Sequence, residues 1–550
     1  MRKKTAKPLI VVLLVILLAV VGLATHFVYK YMPSSTRMDL TEYYGEVPEG
    51  ELLLIVDGEP LEDRGRLEGG TVYLPIGIVN EKLNERFYWD APASRILYAT
   101  PTEVQETAAD VTPGSEVWVS GDQVFVSLPF VQAHTDLDTF LYDSPGRLAI
   151  RTAFSDQTVV TARRNAAVRY RGGIKSEILK EAEVDENMVL LEEYEDWYQV
   201  STMDGYIGFV AKNDVSEPVE YTEERDFHEE DYQYLLMDEK INLVWHQVTI
   251  REANATLDEM TAAMSGVNVI SPTWYSISDN DGNILDLSSA DYVAKAHEKG
   301  LKVWGLIDNF SQFISTYEIL SNTEARRNLI TQLVNSAVAV GLDGINIDFE
   351  SLIEDSARPF LQFLRELSIE THKNGLILSV DNPVPEDFTS HYNRKEQGKV
   401  VDYVIIMGYD EHYAGSEGAG SVASLPWVEK GIQDTLEAVP AERVINAMPF
   451  YTRVWKTLAG TLSTEAIGMQ EALDLVAKNK AETYWDTNVC QNVASYESEG
   501  AEYQIWLEDD RSLAEKTGLA ANYGLAGVAS WKLGLEADSV WQVITENLFR

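Results

Sequence analysis

The chain has 550 residues, and about two to four domains are expected because one hydrophobic core seldom organises so long a chain. Its 44 basic and 88 acidic residues give a formal charge of -44, which repels phosphate backbones and argues against a nucleic-acid partner. The single cysteine, Cys490, excludes an internal disulfide and a cysteine-rich zinc site. We expect neither a metal nor a cofactor. Nothing in the composition indicates an oligomeric state.

The first segment, residues 1–31, predicts a basic cytoplasmic tip and a transmembrane anchor. An apolar stretch from residue 9 to about residue 28 is close to the roughly 20 residues that a helix needs to cross a bilayer. Because basic residues before such a span keep the N-terminus in the cytoplasm, we expect a single-pass protein of the cell membrane with the remaining chain outside. The alternative is a cleaved signal peptide and a secreted protein, although the stretch is long for one and lacks a good Ala-x-Ala site. The basic residues are Arg2, Lys3, Lys4 and Lys7.

Residues 39–155 contain short β-rich runs whose order occurs twice. Residues 70–75 match 117–129, and an aromatic-Asp step at 87–90 is matched by one at 140–143. This pattern resembles the small stalk domain at the N-terminus of some copper amine oxidases. Copper is not expected, because His134 is the segment's single histidine and no other ligands cluster with it, so the resemblance implies a structural spacer.

Residues 158–216 resemble a bacterial Src-homology-3-like barrel, a module that often accompanies cell-wall enzymes. The resemblance rests on the order of Val168-Arg, Trp197-Tyr-x-Val and Gly205-Tyr-Ile-Gly-Phe-Val. Trp197, Tyr198 and Tyr206 are expected either to line a peptide groove or to pack in the core or at the rim of the small barrel. An acidic linker is expected over residues 217–239.

From residue 240 onward, short apolar strands alternate with amphipathic helical stretches. The pattern predicts an α/β fold, a (β/α)₈ TIM barrel over residues 240–550, with an insertion at about 455–510 that could raise one wall of a cleft. The predicted strands are residues 242–245, 267–270, 302–306, 344–347, 376–380, 403–407, 444–447 and 527–531.

The end of the fourth predicted strand carries a group of polar residues. Because strand side chains alternate, Asn346, Asp348 and Glu350 are expected to point together into the barrel mouth, where such barrels place their chemistry. Two carboxylates side by side repel one another, which raises at least one pKa toward the range of a general acid. A salt-bridged or capping pair is the structural alternative.

The run from Asp343 and Gly344 through Asn346 and Asp348 to Glu350 resembles the Asp-x-x-Asp-x-Asp-x-Glu signature of family 18 glycoside hydrolases, the chitinase family. Other elements of the barrel agree in order: Met407-Gly-Tyr409-Asp410, Met448-Pro-Phe-Tyr451 and Gly527-Val-Ala-Ser-Trp531. The resemblance implies a retaining, substrate-assisted hydrolysis of β-1,4-linked N-acetylglucosamine glycans.

The same resemblance implies a role for each matched residue. Glu350 is expected to be the acid and then the base, with Asp348 orienting the substrate's acetamido group and stabilising the positive charge of the intermediate. Among the substrate-binding residues, Asn346 and Met407 would face the mouth, Tyr409 would bond the acetamido oxygen, and Trp531 would form the floor. Asp410 is expected either to contact the sugar or only to support Tyr409.

The sequence departs from the signature at one position, because its second aspartate is here Asn346. That departure puts the family's sharing of charge and protons between neighbouring aspartates in doubt. The Asn-Ile-Asp-Phe-Glu form resembles the spore-cortex and cell-wall branch of the family, which favours peptidoglycan over chitin-like oligomers as the polysaccharide substrate. Two alternatives are a glycan-binding scaffold without catalysis and a surface protein whose small β modules carry the function.

Overall fold

The computed structural model describes residues 7–549, which form two compact units. Within the described residues, unit 1 comprises residues 7–89, 94–96 and 107–229, and unit 2 comprises residues 90–93, 97–106 and 230–549. The basic residues Arg2, Lys3 and Lys4 of the predicted tip lie outside the described part of the chain.

Unit 1 begins with the 25-residue helix Lys7–Tyr31, which is long and apolar enough to cross a membrane. Its apolar side chains from Ile10 onward are exposed, as expected of a helix that has no protein core to pack against. Short helices Leu40–Tyr44, Ile76–Ile78 and Leu128–His134 follow, with a π-helical turn at Val79–Leu83 and a 3₁₀ turn at Lys212–Asp214.

Two seven-stranded sheets make up most of unit 1. In spatial order the first contains Val117–Ser120, Gln123–Ser127, Thr71–Pro75, Glu59–Glu68, Glu51–Val56, Gly146–Arg151 and Asp138–Asp143. The second contains Ile178–Ala182, Ala166–Arg169, Ile207–Ala211, Trp197–Thr202, Asn187–Glu193, Gln157–Thr161 and Val219–Tyr221. Tyr198 and Tyr206 are buried, and Trp197 is half-buried. A separate three-stranded sheet contains Phe87–Asp90, Arg95–Ala99 and Val104–Ala108.

Unit 2 contains a closed barrel of eight parallel strands, so the predicted fold is confirmed. Each strand pairs with its neighbours in chain order, and the first also pairs with the eighth. All eight predicted apolar runs overlap a barrel strand. The strands are β1 Ile241–His246, β2 Val269–Ile277, β3 Lys302–Asp308, β4 Gly344–Asp348, β5 Ile377–Pro383, β6 Tyr403–Met407, β7 Val444–Pro449 and β8 Gly527–Trp531.

Helices surround the barrel and cover the outward faces of its strands. The outward residues Ile345, Ile347 and Phe349 belong to the hydrophobic layer beneath the helices, as strand alternation predicts. The helices of unit 2 are Leu257–Met260, Ala290–Glu298, Thr316–Ser321, Thr323–Val340, Ala357–Lys373, Arg394–Val400, Leu425–Leu436, Met469–Asn479, Asp510–Asn522 and Val540–Leu548. The 3₁₀ turns are Arg251–Thr256, Glu354–Ser356, Asp387–Tyr392 and Ala441–Arg443.

Between β7 and β8 the chain forms an additional antiparallel sheet of five strands. The helix Met469–Asn479 packs on it. In spatial order the strands are Thr461–Gly468, Tyr451–Leu458, Ala501–Leu507, Gln491–Ser498 and Glu482–Asp486. A short strand, Ile284–Asp286, pairs with the end of β2.

Candidate active site

Carboxylates converge at the end of the barrel where three neighbouring strands terminate. Asp308 is the last residue of β3 and Asp348 the last residue of β4, and the two are partners in the parallel register. Asp381 lies near the end of β5. All three strands are parallel, so their carboxyl ends meet at the mouth, where barrel enzymes carry their reacting groups.

Asp348 is buried among these carboxylates. Burial raises its pKa well above the ordinary value, and the negative charges of Asp381, Glu350 and Asp308 raise it further. One of its carboxylate oxygens, Oδ1, is buried without a hydrogen-bond partner from the protein among the described residues. A buried acceptor without a hydrogen-bond partner is costly to stability.

Asn346 lies fully buried between β1 and β5. Its Oδ1 accepts a hydrogen bond of 2.9 Å from Trp245 Nε1, and its Nδ2 donates to Asp381 Oδ1 at 2.8 Å and to Ser379 Oγ at 3.1 Å. The amide therefore uses both its donor and its acceptor atoms. Asn346 is a bridge below the mouth rather than a group open to a ligand.

Glu350 differs from its prediction in one respect, because β4 ends at Asp348 and Glu350 follows the strand. Its backbone is held by Asn309 instead of the sheet: Asn309 Oδ1 accepts from the Glu350 N–H at 2.9 Å, and Asn309 Nδ2 donates to the Glu350 carbonyl at 3.0 Å. The residue is open to solvent at the mouth, yet the surrounding protein removes enough water to raise its pKa, and Asp410 and Asp308 add to the rise. A raised pKa keeps a carboxylic acid protonated closer to neutral pH.

Tyr409 also lies just beyond its strand, since β6 ends at Met407. Burial raises the pKa of the Tyr409 hydroxyl well above its usual value, and the charge of Asp348 adds to this, so the hydroxyl remains a donor. Its ring meets Tyr451 edge to face at 6.2 Å. The Tyr451 hydroxyl donates to Asp410 Oδ1 at 2.6 Å, so Asp410, which is exposed, is held by a side chain from the start of the inserted sheet.

The remaining predicted residues occupy two ends of the barrel. Met407 and Trp531 are half-buried at the ends of β6 and β8, and the Trp531 ring lies 5.9 Å from that of Trp245. Asp343 precedes β4 at the opposite end, where it bonds Lys302 Nζ and His297 Nε2 at 2.8 Å each. A side chain at Gly344 would come within 2.8 Å of the Ile377 carbonyl oxygen, so the strand requires glycine there.

Sequence reasoning missed three residues of this site, Asp308, Asn309 and Asp381, and it included Tyr451 in a family-like run without giving it a role. Asp308 and Asp381 each lie two residues beyond an inward-facing strand position, so alternation continued past the predicted strand ends could have found them. No motif or spacing in the sequence predicts the contact of Asn309 with the Glu350 backbone.

Comparison with known protein families matches residues 245–536 to Glycosyl hydrolases family 18. The chain belongs to this family. It is 27% identical over 306 residues to the uncharacterized glycosylase YvbX of Bacillus subtilis, covering 53% of this chain and 88% of that one. It is 26% identical over 238 residues to the cortical fragment-lytic enzyme of the same organism, covering 42% of this chain and 55% of the relative, so the match spans about half of that protein.

The solved structures show the same fold. A chitinase from Chromobacterium violaceum superimposes with a TM-score of 0.51 at 24% identity, covering 56% of this chain and 99% of that one. The chain is thus a glycoside hydrolase of family 18, related to chitinases and to cortex-lytic enzymes.

Proposed function

We propose that this family 18 enzyme hydrolyses β-1,4-linked glycans that contain N-acetylglucosamine, by a retaining, substrate-assisted reaction. The observation that carries the proposal is the grouping of Glu350, Asp348 and Tyr409 at one mouth, with the pKa of each group raised. The family is an exception to the usual scheme in which a second carboxylate is the nucleophile.

Glu350 is the general acid in this proposal. As the bond between the anomeric carbon and the glycosidic oxygen breaks, that oxygen takes the Glu350 proton. The carbonyl oxygen of the substrate's own acetamido group bonds to the anomeric carbon and gives an oxazolinium ion. Water then attacks the same carbon and loses a proton to Glu350, the ring opens, and the acid is regenerated.

Asp348 and Tyr409 hold the acetamido group in the attacking position. The unpartnered Asp348 oxygen accepts the acetamido N–H, and its charge stabilises the positive charge that develops beside it. The Tyr409 hydroxyl donates to the acetamido oxygen, and Trp531 lies under the apolar face of the sugar ring. Asp410 supports the site through Tyr451.

Peptidoglycan is the favoured glycan, with chitin-like oligomers second. Two kinds of support exist: the Asn-Ile-Asp-Phe-Glu form of the motif, and relatives named as cortical fragment-lytic enzymes. The helix Lys7–Tyr31 would anchor the chain in the cell membrane with the barrel outside. We further propose that residues 39–155 and 158–216 are accessory modules between anchor and barrel.

Glu350→Gln tests the proposal, because glutamine keeps the shape of the side chain and cannot donate the acid proton. The full chain, purified in detergent, is incubated with peptidoglycan and with N-acetylglucosamine oligomers, and new reducing ends are counted. We expect a loss of about 10³-fold or more, within the range of general acid catalysis. Parental turnover by Glu350→Gln would disprove the role of Glu350, and binding without turnover by the parent would favour a glycan-binding scaffold.

A further inference from the structure

We propose that Asp381 is a positioning residue of this reaction: on β5 it supplies the carboxylate neighbour of Asp348 that the family signature has at position 346. The inference rests on the proposed substrate-assisted function. It assigns a role to a residue outside the signature.

The strand register places the two carboxylates side by side. Asn346 on β4 pairs with Ser379 on β5, and Ile347 pairs with Val380. Continued by one residue, the register sets Asp348 beside Asp381, and neighbouring strands lie about 4.8 Å apart. Both side chains are buried, with 6% and 2% of their surfaces exposed. The barrel therefore keeps two adjacent carboxylates, but on two strands instead of one.

The chemistry of Asn346 fits a carboxylate at this place on β5. An ionised aspartate at position 346 could only accept hydrogen bonds, and it would face Asp381 as a second negative charge. The asparagine donates to Asp381 at 2.8 Å while it accepts from Trp245 at 2.9 Å. The asparagine at position 346 and the carboxylate at position 381 therefore fit each other, because the amide donates the hydrogen bond that the carboxylate accepts.

The neighbouring charge makes Asp348 a stronger base toward the substrate. The groups that face Asp348 are Asp381 from β5, Asp308 from β3, Glu350 from beyond its own strand and the neutral Tyr409 from beyond β6. As the acetamido oxygen attacks the anomeric carbon, the N–H of the acetamido group becomes more acidic. A more basic Asp348 carboxylate then accepts a stronger hydrogen bond from this N–H. Loss of the Asp381 charge would lower the pKa of Asp348 and weaken this bond in the transition state.

Four variants of the full chain in detergent test this role, assayed on a fluorogenic β-1,4-linked N-acetylglucosamine oligosaccharide. Asp381→Asn removes the charge and keeps the shape. We expect kcat to fall about 10-fold or more with KM changed less than about two-fold, and the acidic limb of the kcat/KM profile to move to lower pH. Asn346→Asp combined with Asp381→Asn returns the carboxylate to the signature position, and most of the lost kcat should return.

Ser379→Ala is the matched control, because it removes another hydrogen bond to Asn346 without changing charge. It should keep kcat within about two-fold and leave the pH profile unmoved. The role of Asp381 is overturned if Asp381→Asn keeps the parental kcat and acidic limb, if Ser379→Ala reproduces its effect, or if the relocated carboxylate restores nothing while thermal melting shows a folded protein. Glu350→Gln separates the two proposals: its turnover would refute the proposed function, whereas an inactive Glu350→Gln beside a parental Asp381→Asn refutes only this inference.

Discussion

Two of the regions in which unit 2 buries carboxylates differ in the hydrogen-bond partners that the carboxylates receive. In the helix layer, Glu366 receives hydrogen bonds of 3.0 and 2.8 Å from the guanidinium of Arg326, and Glu396 receives one of 2.9 Å from Arg365. At the mouth, Asp348 and Asp381 form no ion pair with a basic side chain among residues 7–549. Paired buried carboxylates hold neighbouring helices together, whereas unpaired ones cost stability and become strong bases.

The largest expected effect is on the stability of the helix layer. Glu366→Ala removes the carboxylate that pairs with Arg326, which is 0% exposed, and breaking such a buried pair typically costs about 3–5 kcal/mol. Urea unfolding followed by tryptophan fluorescence measures this loss. The folded fraction should hydrolyse glycan at the parental rate, because the pair lies outside the mouth.

Glu370→Ala on the same helix is the control for that variant. Glu370 pairs with Lys373 at the exposed surface, where a salt bridge contributes at most about 1 kcal/mol. If Glu366→Ala and Glu370→Ala unfolded at the same urea concentration, the buried pair would not be the stabilising feature that we infer.

Asp348→Asn should have the opposite effect to Glu366→Ala: it should lower kcat and leave the stability unchanged or increased. It removes the charge that stabilises the oxazolinium ion in the proposed reaction, and losing one such electrostatic contact lowers kcat about 10²–10³-fold. Stability at neutral pH should not fall, because a neutral amide replaces a carboxylate whose pKa burial has raised. Kinetic assays and urea unfolding of the same preparation measure the change in kcat and the change in stability. If Asp348→Asn were destabilised and kept the parental kcat, the carboxylates of the mouth would not differ from those of the helix layer in the way that we infer.

The sequence predicted the part of the site that strand periodicity controls. Apolar runs located all eight strands, and alternation placed Asp348 inward and Ile347 outward. The Arg326–Glu366 pair joins two helices, and the double hydrogen bond of Asn309 to Glu350 joins two loops, so neither contact leaves a spacing in the chain. Contacts of this kind depend on tertiary packing, which a single sequence does not reveal.

A smaller effect is expected from Asn309→Ala, which removes both hydrogen bonds to the Glu350 backbone. Glu350 follows the end of β4, so without Asn309 the carboxyl group of this proposed acid is less well positioned, and misplacement of an acid lowers the rate of the reaction that it catalyses. We expect kcat to fall about 10-fold with little change in the pH profile, because no charge is removed. A parental kcat would show that the loop holds Glu350 by other contacts.

The smallest effect is a pH dependence of stability that separates the two regions. The pKa values of Asp348 and Asp381 are raised in the folded chain, so above about pH 4, the ordinary aspartate range, the native state binds more protons than the unfolded state. The contribution of these two carboxyl groups to stability is therefore fully present below the pKa that they have in the unfolded chain. It is lost as the pH rises through the higher pKa that they have in the folded chain. A variant carrying both Asp348→Asn and Asp381→Asn should lose less stability between pH 4 and about pH 8.

Urea midpoints of parent and double variant across that range measure the difference, which should grow as pH rises. Glu252→Gln combined with Glu298→Gln removes two exposed carboxylates and changes the net charge equally, so it controls for the overall negative charge. Its difference from the parent should stay nearly constant with pH. If the mouth variant behaved like this surface control, the buried carboxylates would ionise without cost, and their distinction from the paired carboxylates of the helix layer would not hold.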